Sequence, residues 1–182
     1  MKAAAEGITS CMRRKRHLED RVILLAEDWE PDVMMVQRAF GMAGMRNPLQ
    51  VVRDGEEAVS YLAGLGQFAD RTQHPFPDML LLDLKLPRMD GFEVLQWVRS
   101  QPGGDKLPVV VLTSSQEVYH VHRAYALGAN SFLLKPFEFE NYPALARTMG
   151  KIWLGLDDRP QYIGEDLVEE TPANSDTRVG AV

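Results

Sequence analysis

The chain has 182 residues, of which 45% are hydrophobic and 25% charged, with a net charge of −6; this fits one domain whose core needs neither disulfide nor metal. Its single cysteine, Cys11, excludes an internal disulfide and favours a reducing compartment. The acidic balance speaks against a general nucleic-acid binder, no apolar run suits a membrane span, and the start lacks the apolar stretch of a secretory signal, so a soluble cytoplasmic protein without nucleic-acid or membrane partners is expected.

Residues 1–20 carry Arg13, Arg14, Lys15 and Arg16 and read as a basic, disordered tail. From Val22 the chain alternates between two textures. VILLAE, LQVV, MLLLD, VVVLT and SFLLK are short apolar runs without polar alternation, as in strands covered on both faces. Helical spacing fills the gaps. Val33, Val36 and Phe40 share a face after Pro31, a residue suited to a first turn. Ala58, Val59 and Leu62 point inward from a second helix, and Phe92 and Leu95 from a third. Val121, Ala124 and Tyr125 share a face before Gly128. Leu145, Met149, Ile152 and Trp153 line a last helix that starts near Phe139 to Asn141, because Pro143 is tolerated only in a first turn. The long loop 66–77 reads as a floppy connection rather than a contact surface. Residues 157–182 are acidic, poor in apolar residues and expected to be disordered.

Five strands alternating with five helices over 21–156 predict an α/β domain: a doubly wound, five-stranded parallel sheet, flavodoxin-like, with right-handed crossovers. In such sheets the site lies beyond the carboxyl ends of the strands. There the chain places Glu27 and Asp28, then Asp83, then Thr113, then Lys135. Converging carboxylates repel unless a cation compensates them, and a hard divalent ion such as Mg²⁺ suits oxygen donors. Add a cation in Lys135 and a hydroxyl in Thr113, and the set can handle a phosphoryl group, with Asp83 as the nucleophile.

Taken singly, these residues have ordinary readings. Glu27 and Asp28 could cap the first helix, Asp83 could be a turn residue, Thr113 an ordinary strand end and Lys135 a surface lysine. Asp90 and Gly91 read as a turn. His17, His74, His120 and His122 lack metal-ligand spacing, and AEDWEP stands where a nucleotide-binding glycine loop would be.

Taken together, AEDWEPD, LLLDLKLPRMDG, VVVLTSS and LLKPF, in this order, resemble the signatures of a response-regulator receiver domain of two-component signalling. The GEEAVSYL helix, the long loop after it and the late IWL more narrowly resemble the stand-alone receivers that partner bacterial phytochromes. The resemblance implies a (βα)5 receiver fold. It makes Asp83 the phosphoacceptor, Glu27, Asp28 and Asp83 metal ligands, and the backbone carbonyl of Lys85 a further ligand. Thr113 and Lys135 would bind phosphoryl oxygens, a cis bond would join Lys135 to Pro136, and Phe132 would take the aromatic switch position. It implies Mg²⁺ as cofactor and a sensor histidine kinase as partner, a bacterial phytochrome being one candidate. The expected function is that of a single-domain regulator rather than an enzyme acting on a separate substrate. Output would pass to a downstream protein or phosphorelay partner, or through a homodimer formed by the face of the fourth helix, fifth strand and fifth helix. Lys85 and Ser115 flank the expected path of the hydrolytic water, and a long Lys85 side chain would slow dephosphorylation. Two other functions compete: a receiver-like scaffold that works without phosphorylation, and a phosphatase of the haloacid-dehalogenase type. The second needs an acid two residues after the nucleophile, where Lys85 stands.

Overall fold

The structure, a computed structural model, describes residues 17–114 and 117–154. The two expected tails lie almost wholly outside them, as do Cys11, the basic cluster 13–16 and Ser115. Among the described residues five strands alternate with five α-helices: β1 (Ile23–Ala26), α1 (Glu30–Met42), β2 (Leu49–Val52), α2 (Gly55–Ala63), β3 (Met79–Leu82), α3 (Gly91–Ser100), β4 (Val109–Thr113), α4 (Val118–Ala126), β5 (Ser131–Leu134) and α5 (Tyr142–Met149). A 3-10 turn, Phe139–Asn141, precedes α5 and a π-helical turn, Gly150–Leu154, follows it. The strands form one parallel sheet in the order β2-β1-β3-β4-β5, as the strand-helix alternation predicts.

The leucine runs follow from coverage on both faces. In β3, Leu80 and Leu82 face the core beneath α2 and α3, while Met79 and Leu81 face the core shared with α1 and α5. All four are fully buried. β2 and β5 form the sheet edges, so β5 (SFLL) is only half-buried and ends in an exposed Leu134. On α1, Val33, Val36 and Phe40 point inward as the spacing predicts. On α2 the inward residues are Ala58, Tyr61 and Leu62, while Val59 is half-buried. Tyr125 of α4 does not join Ala124 in the core. It is exposed, and its hydroxyl oxygen accepts the backbone N–H of Phe132 at 3.2 Å. Met149 of α5 is buried, Leu145 and Ile152 are half-buried, and the side chain of Trp153 is outside the described part.

The loop 66–77 is packed, not floppy. Phe68 and Phe76 are buried, and their rings and neighbours hold the polar stretch between them. Arg71 donates to the carbonyls of Tyr61 at 2.7 Å, Leu62 at 2.8 Å and His74 at 3.1 Å, which ties the last turn of α2 to the loop. The Tyr61 hydroxyl donates to the Pro75 carbonyl at 2.9 Å. Two aromatic anchors and one arginine thus fasten a segment whose composition alone suggests mobility.

Candidate functional site at the strand ends

β1 and β3 end side by side, β5 ends one strand further along the same rim beyond β4, and the residues that follow meet around one ammonium. Lys135 Nζ lies 2.6 Å from Glu27 Oε2, 2.6 Å from Asp32 Oδ2 and 2.7 Å from Asp83 Oδ2. All four groups are buried: side-chain exposure is 7% for Lys135, 2% for Glu27, 12% for Asp32 and 7% for Asp83. The backbone sets each one. Asp83 N–H donates to the Ala26 carbonyl at 3.1 Å, Glu27 N–H to Val52 at 3.0 Å and Lys135 N–H to Thr113 at 2.9 Å. These bonds extend the sheet ladder by one residue, so the reactive groups stand on rigid strands rather than on mobile loops.

The second oxygen of Asp83 is held as well. Asp83 Oδ1 accepts the N–H of Leu84 at 2.6 Å and of Lys85 at 3.3 Å. The carboxylate is therefore oriented from both sides. Asp90 and Gly91 do more than turn the chain. Asp90 caps α3 through a reciprocal pair with Glu93, at 2.8 and 2.9 Å, and Gly91 lets the start of α3 sit against the backbone of Asp83 and Leu84.

The electrostatics are unbalanced. Three buried carboxylates face one ammonium, which leaves negative charge in excess. Burial pushes the Glu27 carboxyl up to about 7, against the hydrogen bond and charge of Lys135, with Asp83 and Asp32 adding to the rise. Burial alone would lower the Lys135 ammonium, yet the charges and hydrogen bonds of its three partners hold it above the ordinary lysine range. Tyr142 of α5 feels the same cluster: burial and the charge of Asp32 push its phenol up to about 12. The excess charge and all-oxygen donor set fit a hard divalent cation. Among the described residues no group of three or more His, Cys, Asp or Glu side chains is already arranged to hold a metal ion, and the Lys135 ammonium bridges Glu27 and Asp83.

The remaining candidates are arranged less tightly. Asp28 is exposed at the rim and makes no ion pair with this cluster among the described residues. Neither Glu27 nor Asp28 serves as a side-chain cap of α1: Trp29 is the N-cap and has no side-chain bond. Glu27 Oε1 accepts the N–H of Trp29 at 3.3 Å. Thr113 is fully buried at the end of β4. Phe132 packs half-buried against the α2/α3 core from the edge strand. The side chain of Lys85 points to solvent. The Lys135–Pro136 bond is trans, contrary to the expectation, since no described peptide bond is cis. The two isomers of an X–Pro bond differ by only about 0.5–1 kcal/mol, so a Lys-Pro pair does not dictate one, and the trans chain delivers the ammonium to its three partners.

Two residues of the site lie outside the strand-end reading. Asp32 sits in the first turn of α1, and Arg53 follows β2. Arg53 donates to the Glu27 carbonyl at 3.4 Å and pairs with Glu30, closing the loop between β1 and α1. The signal for Asp32 is its spacing: it follows Pro31, one residue before the inward Val33, so the first turn carries it toward the sheet.

Known proteins resemble this chain in sequence and fold. The family model of the response regulator receiver domain matches residues 23–147. The chain is 37% identical to the probable methanogenesis regulatory protein FilR2 of Methanothrix harundinacea, over 76% of this chain and 87% of that protein. It is 34% identical to the response regulator Rcp1 of Synechocystis, over 74% and 89%. Among solved structures, the response regulator RPA3017 in red light signaling of R. palustris superposes with TM-score 0.72 and 33% identity, over 78% and 99% of the two chains. The phosphorylated cyanobacterial phytochrome response regulator RcpA gives 0.70 and 32%, over 78% and 99%. The Mn²⁺-bound form of Rcp1 gives 0.68 and 33%, over 78% and 99%. No helix among the described residues is long and apolar enough to cross a membrane. The family match runs from β1 into α5 and contains every member of the strand-end cluster, and the chain belongs to the response-regulator receiver family of two-component signalling.

Proposed function

We propose that Asp83 accepts a phosphoryl group from the phosphohistidine of a sensor kinase, with Mg²⁺ as cofactor, and that the modification switches the shape of the domain. The observation that carries this reading is the single ammonium of Lys135 bonded to Asp83 and Glu27 from three different strand ends. One Asp83 oxygen attacks phosphorus, a new O–P bond forms as the N–P bond breaks, and the histidine leaves. Backbone N–H groups of Leu84 and Lys85 hold the other oxygen in place. Glu27, Asp28, Asp83 and the carbonyl of Lys85 would hold the cation, which supplies positive charge to the phosphoryl oxygens. Lys135 and the Thr113 hydroxyl would take the remaining oxygens.

A phosphorylated Asp83 carries about −1.5 to −2 charge in place of the single negative charge of its carboxylate, and it extends that charge further out at the rim. Drawing Lys135 and Thr113 toward it biases β5, because the Lys135 N–H bonds the Thr113 carbonyl. Phe132 lies in the same strand, half-buried and free to deepen its packing. Exposed Val118, Tyr119, Tyr125 and Leu134 on α4 and β5 supply an apolar output face for a downstream protein, a relay partner or a second copy. The likeness to phytochrome response regulators supports a phytochrome-type kinase, and with it a cytoplasmic setting. No acid stands two residues after Asp83, where Lys85 faces solvent, which disfavours a phosphatase acting on small phosphomonoesters.

The test mixes the purified chain with a small acyl-phosphate donor and Mg²⁺. The parent should gain one acid-stable, base-labile phosphoryl group, and Asp83→Asn none. Equal labelling of both proteins, or no labelling of the parent, refutes the reading.

A further inference from the structure

An ammonium has three protons to donate, and Lys135 gives one to each of three carboxylates. Two of the three, Glu27 and Asp83, are the groups read above as cation ligands. The third is not. Asp32 stands on a helix, not at a strand end, and is 8% exposed. When a divalent ion claims Glu27 and Asp83, the ammonium loses two partners while staying buried. An unpaired buried charge is costly, so the lysine would resist the cation.

We propose that Asp32 is a positioning residue for the phosphotransfer: it keeps hold of the Lys135 ammonium when the cation takes over Glu27 and Asp83. The inference rests on the cation-dependent reading of the site. Asp32 lets the lysine withdraw from between Glu27 and Asp83 without leaving the rim. The ammonium then waits beside Asp83, where phosphoryl oxygens arrive. A helix-dipole role is the plainer account, since Glu30 and Asp32 both lie in the first turn of α1. That role needs no contact with Lys135, whereas the 2.6 Å ion pair is buried and spans 103 residues of sequence.

The test is a double-mutant cycle on the full chain, with Mg²⁺ binding read by calorimetry in the parent, Asp32→Asn, Lys135→Met and the double variant. Circular dichroism checks that each is folded. Asp32→Asn should weaken Mg²⁺ binding on the order of tenfold, and the loss should vanish when Lys135 is already methionine. The deficit in labelling rate should also shrink as Mg²⁺ is raised. A Mg²⁺ affinity within about twofold of the parent, or the same loss in both lysine backgrounds, overturns the proposal while leaving the proposed function standing. A parent that binds no Mg²⁺ overturns both. Should Asp32→Asn fail to fold, the ζ-nitrogen resonance of Lys135 in the parent decides. A slowly exchanging ammonium signal that persists in saturating Mg²⁺ supports the hold by Asp32, and its loss overturns it.

Discussion

Gly91 rests on the backbone of Asp83 so closely that a Cβ at this position would overlap the Asp83 carbonyl oxygen and crowd the Leu84 Cα. The Gly91 N–H also donates to the Leu84 carbonyl at 3.0 Å. The first turn of α3 is thereby a backstop for the strand end that carries the carboxylate. Gly91→Ala must push α3 or Asp83 away. We expect a loss of about 1–3 kcal/mol from overpacking, read by urea denaturation, and a labelling rate lower by roughly 10-fold to 100-fold, because small misplacements of a reacting group are costly. An unchanged rate would show that the backstop is dispensable.

Lys135 is the ammonium that bonds all three carboxylates of the cluster. Lys135→Met leaves Glu27, Asp32 and Asp83 facing one another without it. At neutral pH the variant should lose about 3–5 kcal/mol, the usual cost of stranding buried charge. Mild acid should restore stability by protonating a carboxylate, and Mg²⁺ should restore it by replacing the lost charge. Denaturation midpoints at pH 5 and pH 7.5, with and without Mg²⁺, measure all three effects.

Glu27 supplies a pH dependence of definite sign. Its folded-state value of about 7 stands above the ordinary 4.5, so between these limits the folded protein holds a proton that the unfolded chain has released. Stability from this group is greatest below about 4.5 and declines as pH rises toward 7. The signature is the difference between parent and Glu27→Gln, which isolates this group. The parent should lose about 2–3 kcal/mol relative to the variant from pH 4.5 to 7. Parallel stability curves for the two proteins would contradict this.

The sheet was legible because its strands are buried on both faces and nearly free of polar residues, and because a βα alternation admits few topologies. The strand-end residues followed from the same logic, since topology brings Glu27, Asp83 and Lys135 to one rim. Asp32 escaped it because it sits in a helix, where an acidic first turn is ordinary. Tyr125 was misplaced because helical spacing cannot show that β5 is an edge with no further layer over that side chain. The loop after α2 was misread for another reason. Its order comes from long-range anchors, and one arginine supplies three of the bonds. Arg71→Ala should therefore cost about 1–3 kcal/mol and make residues 66–77 open to limited proteolysis, with no change in Asp83 labelling. Intact resistance to protease would mean that Phe68 and Phe76 hold the loop unaided.

Lys85 bears on how long the signal lasts. Its N–H helps hold Asp83 Oδ1 at 3.3 Å, while its side chain is exposed to solvent beside Asp83, the proposed phosphoacceptor. Hydrolysis requires a water to approach phosphorus opposite the Asp83 oxygen, and a long cationic chain next to that path can block it or pair with the phosphoryl group. Both effects prolong the acyl phosphate. Lys85→Ala keeps the backbone donor and removes only the chain, so labelling should proceed at the parental rate while the phosphoryl lifetime shortens by several-fold, about 1 kcal/mol of barrier. Chase experiments after removal of the donor give the lifetime directly. A lifetime equal to the parent's would assign the persistence of the signal to the buried groups around Asp83 and not to this exposed lysine.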